Sequence, residues 1–556
     1  MPRLQTNTLY YGDNLPILRD YIPDESIDLI YLDPPFNSNR SYNVLFKETA
    51  GPSPAQTGAF EDTWHWGNAT IQAYEEVVTN GPDTTARLLS AMMSALGHND
   101  VMAYLSMMAI RLLELRRVLK PTGSIYLHCD PTAGHYLKVL MDSVFGPKRF
   151  RNEVIWKRTH SHGGANRFGA VHDIILSYSK TSTFMWNAKR LRYSDQYVEG
   201  FFKFSDADGR RYRSTILTGS GTRTGSSGKP WRGVDPTNSG RHWAVPGYAR
   251  RRIGDVDPSN VQAALDRLDE IGRVIWPAKA GGIPTFKQYI DDLGGAEIQD
   301  VWTDIPPISA QAKERLGYPT QKPLALLERI IAASSSEGDV VLDPFCGCGT
   351  AIHAAQNLNR KWIGIDITHL AIGLIRRRLL DAFPKLQGKI RVIGEPEDLP
   401  GAAELAKNDP YQFQWWALDR VDAQPLTDER KKGRDRGVDG IIPFLEGTDR
   451  RRAIVSVKSG KLTPAFVRDL KGTVEREKEP MGVLLTLNEP TREMKTEAAA
   501  AGTYRSETWQ KSYPKIQIIT VADIFNGRNV QMPPKVSPFA QAAREREREG
   551  EQATLI

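Results

Sequence analysis

The run Asp33-Pro34-Pro35-Phe36 closes the apolar stretch SIDLIYL and is the first place where residue type and order could do chemistry. Two prolines cannot extend a sheet, so they hold a stiff turn that presents an acid and its neighbouring carbonyls at a strand end. An acid beside a carbonyl can accept both N–H bonds of an exocyclic amine, whose lone pair is otherwise delocalised into its ring. Those bonds localise the pair toward an electrophile held in line, with no covalent intermediate on the protein. Phe36 can stack on the ring that carries the amine once that ring has left its own stack.

A second segment, VVLDPFCGCGTAIHAA, reads as strand, glycine turn and helix, and WIGID follows as a further strand. Such a turn lets backbone approach a ligand at the carboxyl end of strands, where side chains would block it. The pattern is not GxGxxG and lacks the Lys-Ser/Thr of a phosphate loop, which disfavours nucleotide phosphates. Asp366 ends the second strand about 20 residues on, where an acid can bond both hydroxyls of a ribose. Asp343 ends the first strand, placed to meet a charged amino group or its water shell, and Pro344, Phe345, Gly347, Gly349 and Thr350 form the turn. These features suit adenosine without pyrophosphate.

The elements that must position these groups alternate along the chain. SIDLIYLDPPF reads as a buried strand into a turn, AYLSMMAIRLLELRRVLKPTGSIYLHCD as helix, turn and strand, and RNEVIWKR and DIILSYSK as strands. This rhythm predicts a parallel sheet. It fades over residues 181–307, a stretch rich in Gly, Arg and Trp, and resumes with KPLALLERIIAASS. Loops of that length inside a compact fold are functional or disordered. The expected division is 1–180 and 308–390 for the two parts of one α/β domain, 181–307 for an insertion, 391–410 for a polar linker, 411–532 for a second α/β domain and 533–556 for a charged tail.

At 556 residues the chain is too long for one ordinary core. A formal charge of +7 is compatible with a polyanionic partner. Three cysteines, two of them in the run CGC, make neither a disulfide framework nor a four-ligand zinc site. His128, His160, His162 and His172 lack metal-ligand spacing and are assigned no chemistry. No apolar run is long enough to span a bilayer and the N-terminus has no apolar signal region, so a cytoplasmic protein associated with the nucleoid is expected.

The two chemical segments together strongly resemble the amino-group DNA methyltransferases. In that family the acid-Pro-Pro-aromatic motif is catalytic and the glycine turn binds S-adenosylmethionine. Catalytic motif first and cofactor motif last is the order of the beta class, whose target-recognition domain lies between them. Three further runs match: YGDN, with Asp13, resembles the motif near the cofactor adenine, HDIILSYSK resembles a late sheet strand, and YPTQKP carries Lys322 and Pro323 beside the methionine moiety. The resemblance covers about residues 5–390. It implies a Rossmann-like S-adenosylmethionine-dependent methyltransferase fold with an inserted target-recognition domain. Asp at the first position of the tetrapeptide favours adenine N6, with cytosine N4 the alternative; cytosine C5 chemistry needs a Pro-Cys pair, and no cysteine here follows a proline. Double-stranded DNA is the implied partner, and a restriction-modification or related defence setting, with a homodimer or companion restriction subunits, is part of the same expectation. Within 181–307, Arg223, Lys229, Trp231, Arg232, Arg241, His242 and Trp243 are candidates to neutralise phosphates, donate to guanine edges and stack on bases.

Farther on, RGVDGIIPFLEGTDRRRAIVSVKSGKL places Asp439 at a turn and Lys458 at the end of a β-rich run. It resembles the core of a PD-(D/E)xK nuclease of the Mrr-like type, with Asp439 matching the metal ligand and Lys458 the catalytic lysine. Ser456 stands where active members carry an acid or Gln, and a hydroxyl is a poorer Mg²⁺ ligand than a carboxylate. Two readings stay open: an active Mg²⁺-dependent endonuclease, in which Gln412, Gln414 or Glu446 lies near the site, or a remnant that binds DNA without cutting.

Overall fold

In the computed structural model of the chain, the residues described are 4–35, 66–160, 168–187, 190–251, 253–254, 257, 259–279, 281–309, 312, 314–316, 318, 320–425 and 438–535. Phe36, His162 and most of the charged tail fall outside them.

The apolar runs that alternate with helices become a nine-stranded sheet. In chain order its strands are β1 (Thr8–Tyr11), β2 (Ile27–Leu32), β3 (Leu119–Cys129), β4 (Phe150–Lys157), β5 (His172–Ser179), β6 (Val301–Trp302), β7 (Val340–Asp343), β8 (Lys361–Asp366) and β9 (Arg391–Ile393). Their spatial order is β6-β4-β5-β3-β2-β7-β8-β1-β9. Every neighbouring pair is parallel except the two that involve β5. The central strands are apolar throughout because helices cover both faces: Leu29, Ile30, Leu32, Val341, Leu342, Ile363 and Ile365 are all fully buried. The helix Asp100–Val118, capped where Asn99 accepts the Met102 N–H at 2.8 Å, contributes Leu105, Leu112 and Leu115 to this core. This is the Rossmann-like α/β fold that the resemblance implies, and its sheet is the parallel one that the alternation predicts except at β5.

The parallel arrangement has one consequence that matters. The carboxyl ends of β1, β2, β3, β7 and β8 share one edge, and Asp13, Asp33, Asp130, Asp343 and Asp366 all sit at or just beyond them. Open α/β sheets bind ligands at this edge.

The stretch 391–410, read from sequence as a linker, holds β9, which pairs with β1, and the helix Leu399–Asn408. Ala402 and Ala406 of that helix pack into the core of the second α/β domain. There a five-stranded sheet runs in sequence order through β10 (Gln424–Pro425), β11 (Gly440–Glu446), β12 (Asp449–Lys458), β13 (Met481–Thr486) and β14 (Ile516–Thr520). Ala453, Val455 and Val457 of β12 face the helix Pro410–Arg420, while Ile454 on the other side meets the helix Ala465–Arg476. Period-two alternation thus places helices on both faces.

Residues 188–299 form a separate compact unit. A small antiparallel sheet, which includes Arg211–Ile216 and Thr285–Tyr289, packs with the helix Val261–Glu270 on a core of Leu217, Trp231, Trp243, Leu265, Leu268 and Phe286.

Candidate active site

The tetrapeptide turn begins where β2 stops. Asp33 follows Leu32 directly, and its carboxylate is ion-paired with the Lys322 ammonium. Pro34 is buried and Pro35 half-buried, so the turn is anchored while the acid keeps partial access to solvent. Pro323, the next residue after Lys322, caps the helix Leu324–Ser334, whose first free N–H is taken by the Glu314 carboxylate at 3.0 Å. Lys322 therefore meets the catalytic-type turn itself.

Next to β2, the end of β7 builds the glycine turn. The Phe345 N–H donates to Asp343 at 3.1 Å, and Gly349 closes back on the Cys346 carbonyl at 2.7 Å before the helix Thr350–Asn357 starts. Gly349 has φ +73°, and a Cβ there would lie 2.6 Å from the Ile375 side chain, so both the backbone and the packing require glycine. Across the turn, Asp366 takes the Gly347 N–H at 2.8 Å on one oxygen, and the Thr368 N–H and hydroxyl at 3.0 and 2.9 Å on the other. Each carboxylate oxygen offers about two acceptor directions, so one direction stays open on the oxygen that takes Gly347, enough for a single ligand hydroxyl. Burial pushes the Asp366 carboxyl up to about 6 against the hydrogen bonds that hold it down. Burial, with Asp33 and Asp366 close by, pushes Asp343 well above the usual carboxylate range. A cationic ammonium group beside these acids would relieve that repulsion, which fits an amino-acid moiety that carries both positive nitrogen and a nucleoside.

Asp13 caps the helix Asn14–Tyr21 by accepting the Leu15 N–H at 2.9 Å, and it also accepts Arg111 at 2.7 Å. Arg111 is buried and its second bond, 2.6 Å to Asn14, fixes a side chain that in turn donates to the Pro344 carbonyl at 2.8 Å. The loop after β1 is thereby tied to the glycine turn.

Behind β2 lies a group that sequence reading left without chemistry. His128 accepts the Tyr31 hydroxyl at Nδ1 (2.9 Å) in its neutral form and donates from Nε2 to Asp173 at 3.1 Å, while Arg158 takes the other Asp173 oxygen at 2.9 Å. Burial raises the Asp173 carboxyl, but His128, Lys322 and Arg158 bring it below its ordinary value. Tyr31 lies two residues before Asp33 on β2, so this chain braces the strand that carries the acid. Asp173 near the start of the apolar run DIILSYS was the signal in the sequence: an acid in a buried strand needs a partner.

In the 188–299 unit, the structure sorts the candidate contacts. Trp231 and Trp243 are core residues, edge to face at 5.7 Å, with their N–H groups given to Asp266 and the Lys229 carbonyl. Neither ring is presented for stacking on a base. His242 is buried against the Gly221 carbonyl at 2.8 Å, Arg241 is bonded to Thr218, and Arg232 is ion-paired with Asp269. Arg223 and Lys229 are exposed.

In the second α/β domain, Asp439 accepts the Ser456 hydroxyl at 3.0 Å and the Val457 N–H at 2.7 Å, with the Lys458 ammonium 3.9 Å away. The three residues converge, yet among the described residues no three His, Cys, Asp or Glu side chains gather to hold a metal. Glu446 lies at the far end of β11, held by Tyr504 and Ser506 at 2.7 Å each. Gln412 is also elsewhere: it accepts the His369 N–H at 2.9 Å. One carboxylate already engaged by a hydroxyl does not fit Mg²⁺, which needs one or two free carboxylates besides its waters.

The fold thus brings a buried acid, a glycine turn and an acid-Pro-Pro turn together at the carboxyl edge of a Rossmann-like sheet. The chain belongs to the DNA methylase family, whose profile matches residues 27–376. A second profile, described as NACHT-associated inactive Restriction Endonuclease 1, matches residues 411–526. The chain is 29% identical to the Type II methyltransferase M.EcaI of Enterobacter cloacae over 374 residues, which cover 67% of this chain and 69% of that one. It is 27% identical to the Type III restriction-modification enzyme StyLTI Mod subunit of Salmonella typhimurium, spanning half of that protein's length. Among solved structures, the PvuII DNA methyltransferase (cytosine-N4-specific) aligns with 68% of this chain and 89% of its own at 13% identity, with a TM-score of 0.31. Among the described residues, no helix is long and apolar enough to cross a membrane.

Proposed function

We propose that this DNA methyltransferase transfers the methyl group of S-adenosylmethionine to adenine N6 in a short target in double-stranded DNA. The observation that carries the reading is an aspartate, rather than a serine, at the end of β2, beside the glycine-turn edge. S-adenosylmethionine, when bound, supplies an electrophilic sulfonium methyl. Asp366 would accept a ribose hydroxyl, Asp343 would meet the methionine ammonium, the Asp13 loop would border the adenine, and Lys322 and Pro323 would wall the methionine side. The Asp33 carboxylate and the Pro34 carbonyl accept the two N–H bonds of the target amine, which raises its nucleophilicity, and Asp33 or bulk water receives the proton released after transfer. Phe36 stacks on the extruded base.

The unit 188–299 selects the target, and the second α/β domain binds DNA without cutting it. The relatives' Type II and Type III names support a restriction-modification setting, with a companion restriction subunit or a second copy of this chain as partner, acting on chromosomal DNA in the cytoplasm. The test is to express the chain in a methylation-free host, map modified bases by sequencing, and identify the product by mass spectrometry. N6-methyladenine at one recurrent sequence is the expected result; N4-methylcytosine would move the assignment to the other base.

A further inference from the structure

The helix Pro410–Arg420 opens the C-terminal domain, yet one stripe of it turns toward the cofactor edge. Gln412, Asp419 and Arg420 recur at seven- and eight-residue spacing and so share a helix face. Gln412 accepts the His369 N–H at 2.9 Å. Arg420 donates to Glu395 at 2.8 Å, and the other Glu395 oxygen meets His369 Nδ1 at 3.3 Å. Asp419 takes Arg376 at 2.8 Å, with Arg377 3.7 Å away. The approach is close enough that a Cβ on Gly373 of the facing helix would lie 2.5 Å from the Asp419 carboxylate.

The Gln412 and Glu395 bonds bear on His369, the first residue of the helix His369–Ala382 that follows the ribose acid, and the Asp419 bonds hold that helix two turns farther on. His369 comes three residues after Asp366, and its neighbour Thr368 donates twice to that acid. The buried His369 ring lies flat on Tyr11 at 3.6 Å, and Tyr11 is the residue paired with Asp366 in the sheet and adjoining the loop of Asp13. The junction is polar as well as buried: Asp419 Oδ1, Arg420 Nε and His369 Nε2 make no hydrogen bond to any described residue. Apolar surfaces tolerate sliding, whereas buried charges hold one geometry.

We propose that Gln412, Asp419 and Arg420 are positioning residues of the cofactor site, through which the C-terminal domain holds the Asp366–His369 loop and Tyr11 in the shape that binds the cofactor. The inference rests on the assignment of Asp366 to the cofactor ribose. Methyl transfer then depends on a domain that touches none of the reacting atoms, and anything that shifts this helix alters cofactor affinity before it alters chemistry.

The test uses the full chain, with S-adenosylmethionine affinity measured by calorimetry and transfer measured at saturating DNA. Gln412→Met removes the acceptor at similar length; the Kd and KM for S-adenosylmethionine should rise about tenfold, the worth of one such bond. The kcat at saturating cofactor should stay within about twofold, because nothing in the transition state is removed. Gln412→Glu, which keeps an acceptor, should recover most of the affinity. Should Gln412→Met fail to fold, hydrogen–deuterium exchange on the wild-type chain decides: S-adenosylmethionine should slow exchange across 410–420. Unchanged affinity in both Gln412→Met and Asp419→Ala, or unchanged exchange in 410–420, overturns the coupling. A wild-type chain that bound no S-adenosylmethionine would overturn the cofactor assignment and the coupling with it.

Discussion

The Lys322 ammonium bonds the Asp33 carboxylate although 289 residues separate them in the chain. The acid belongs to the first part of the split α/β domain and the lysine to the second, with the unit 188–299 inserted between. The pair therefore joins the acid-Pro-Pro turn to the part of the domain that carries the glycine turn, beyond the packing role the resemblance implies for Lys322. Both side chains are mostly buried, so removing the cation leaves an acid with little solvent to compensate. Lys322→Met should lower the single-turnover methylation rate about 10- to 100-fold, with Lys322→Arg closer to wild type. An unchanged rate in Lys322→Met would show that the pair is incidental.

Asp33→Ala removes the acceptor from the amine and leaves the glycine turn intact. S-adenosylmethionine binding should persist, while methylation falls by about 10²-fold or more, the usual worth of one positioned polar group. Calorimetry and incorporation of labelled methyl separate the two effects. Undiminished transfer would remove Asp33 from the mechanism.

If Asp366 binds the cofactor ribose, its raised carboxyl makes binding depend on pH. Burial raises its carboxyl from an ordinary 3.8 to about 6. Between those values the folded chain holds a proton that the unfolded chain has lost, so this group's contribution to stability falls as pH rises through about 6. Binding runs the other way, because ribose hydroxyls donate to the ionised form. S-adenosylmethionine affinity should increase from pH 5 through about 6, and Asp366→Asn should be weaker at pH 8 and lose the rise centred near 6. A flat wild-type profile would contradict the assignment.

Local order made the edge legible. A strand that stops at prolines, and a strand that runs into glycines and then a helix, are written in adjacent residues, so Asp33, Gly349 and Asp366 could be placed without a structure. Partners brought together by the sheet were not. His128 lies 97 residues from Tyr31 and 45 from Asp173, and no spacing rule joins them. Trp231 and Trp243 show a different limit: an indole serves a core as readily as a base stack, and only the surrounding Leu265, Leu268 and Phe286 decide which. Residues 391–410 read as polar because β9 is a short edge strand and Leu399–Asn408 buries only Ala402 and Ala406.

That sorting makes distinct forecasts for the inserted unit. Trp231→Ala and Trp243→Ala should each cost about 3–5 kcal/mol of that unit's stability and leave the modified sequence unchanged wherever the protein stays folded. Arg223→Ala or Lys229→Ala should leave the melting temperature alone and, if the side chain meets a phosphate, reduce the salt slope of DNA binding by about one. Thermal melts and binding titrations over a salt series check both; a changed target in a folded Trp231→Ala protein would return that indole to recognition.

The C-terminal domain should not cleave DNA. Its Asp439 accepts the Ser456 hydroxyl and the Val457 N–H, and Lys458 stands 3.9 Å off, but among the described residues no second carboxylate joins them. A divalent ion there would lean on waters and a single carboxylate whose Oδ2 is already engaged, too little to hold it or to lower the pKa of a bound water. Mg²⁺ or Mn²⁺ titrations on methylated and unmethylated duplexes should therefore produce no cutting, in wild type or in Lys458→Ala. DNA affinity should fall in Lys458→Ala if this face binds the backbone. Deleting everything after Lys407 is a poor substitute for that variant, since it also removes Gln412, Asp419 and Arg420 from the loop beside Asp366. Metal-dependent cutting that disappears with Lys458 would establish a working nuclease.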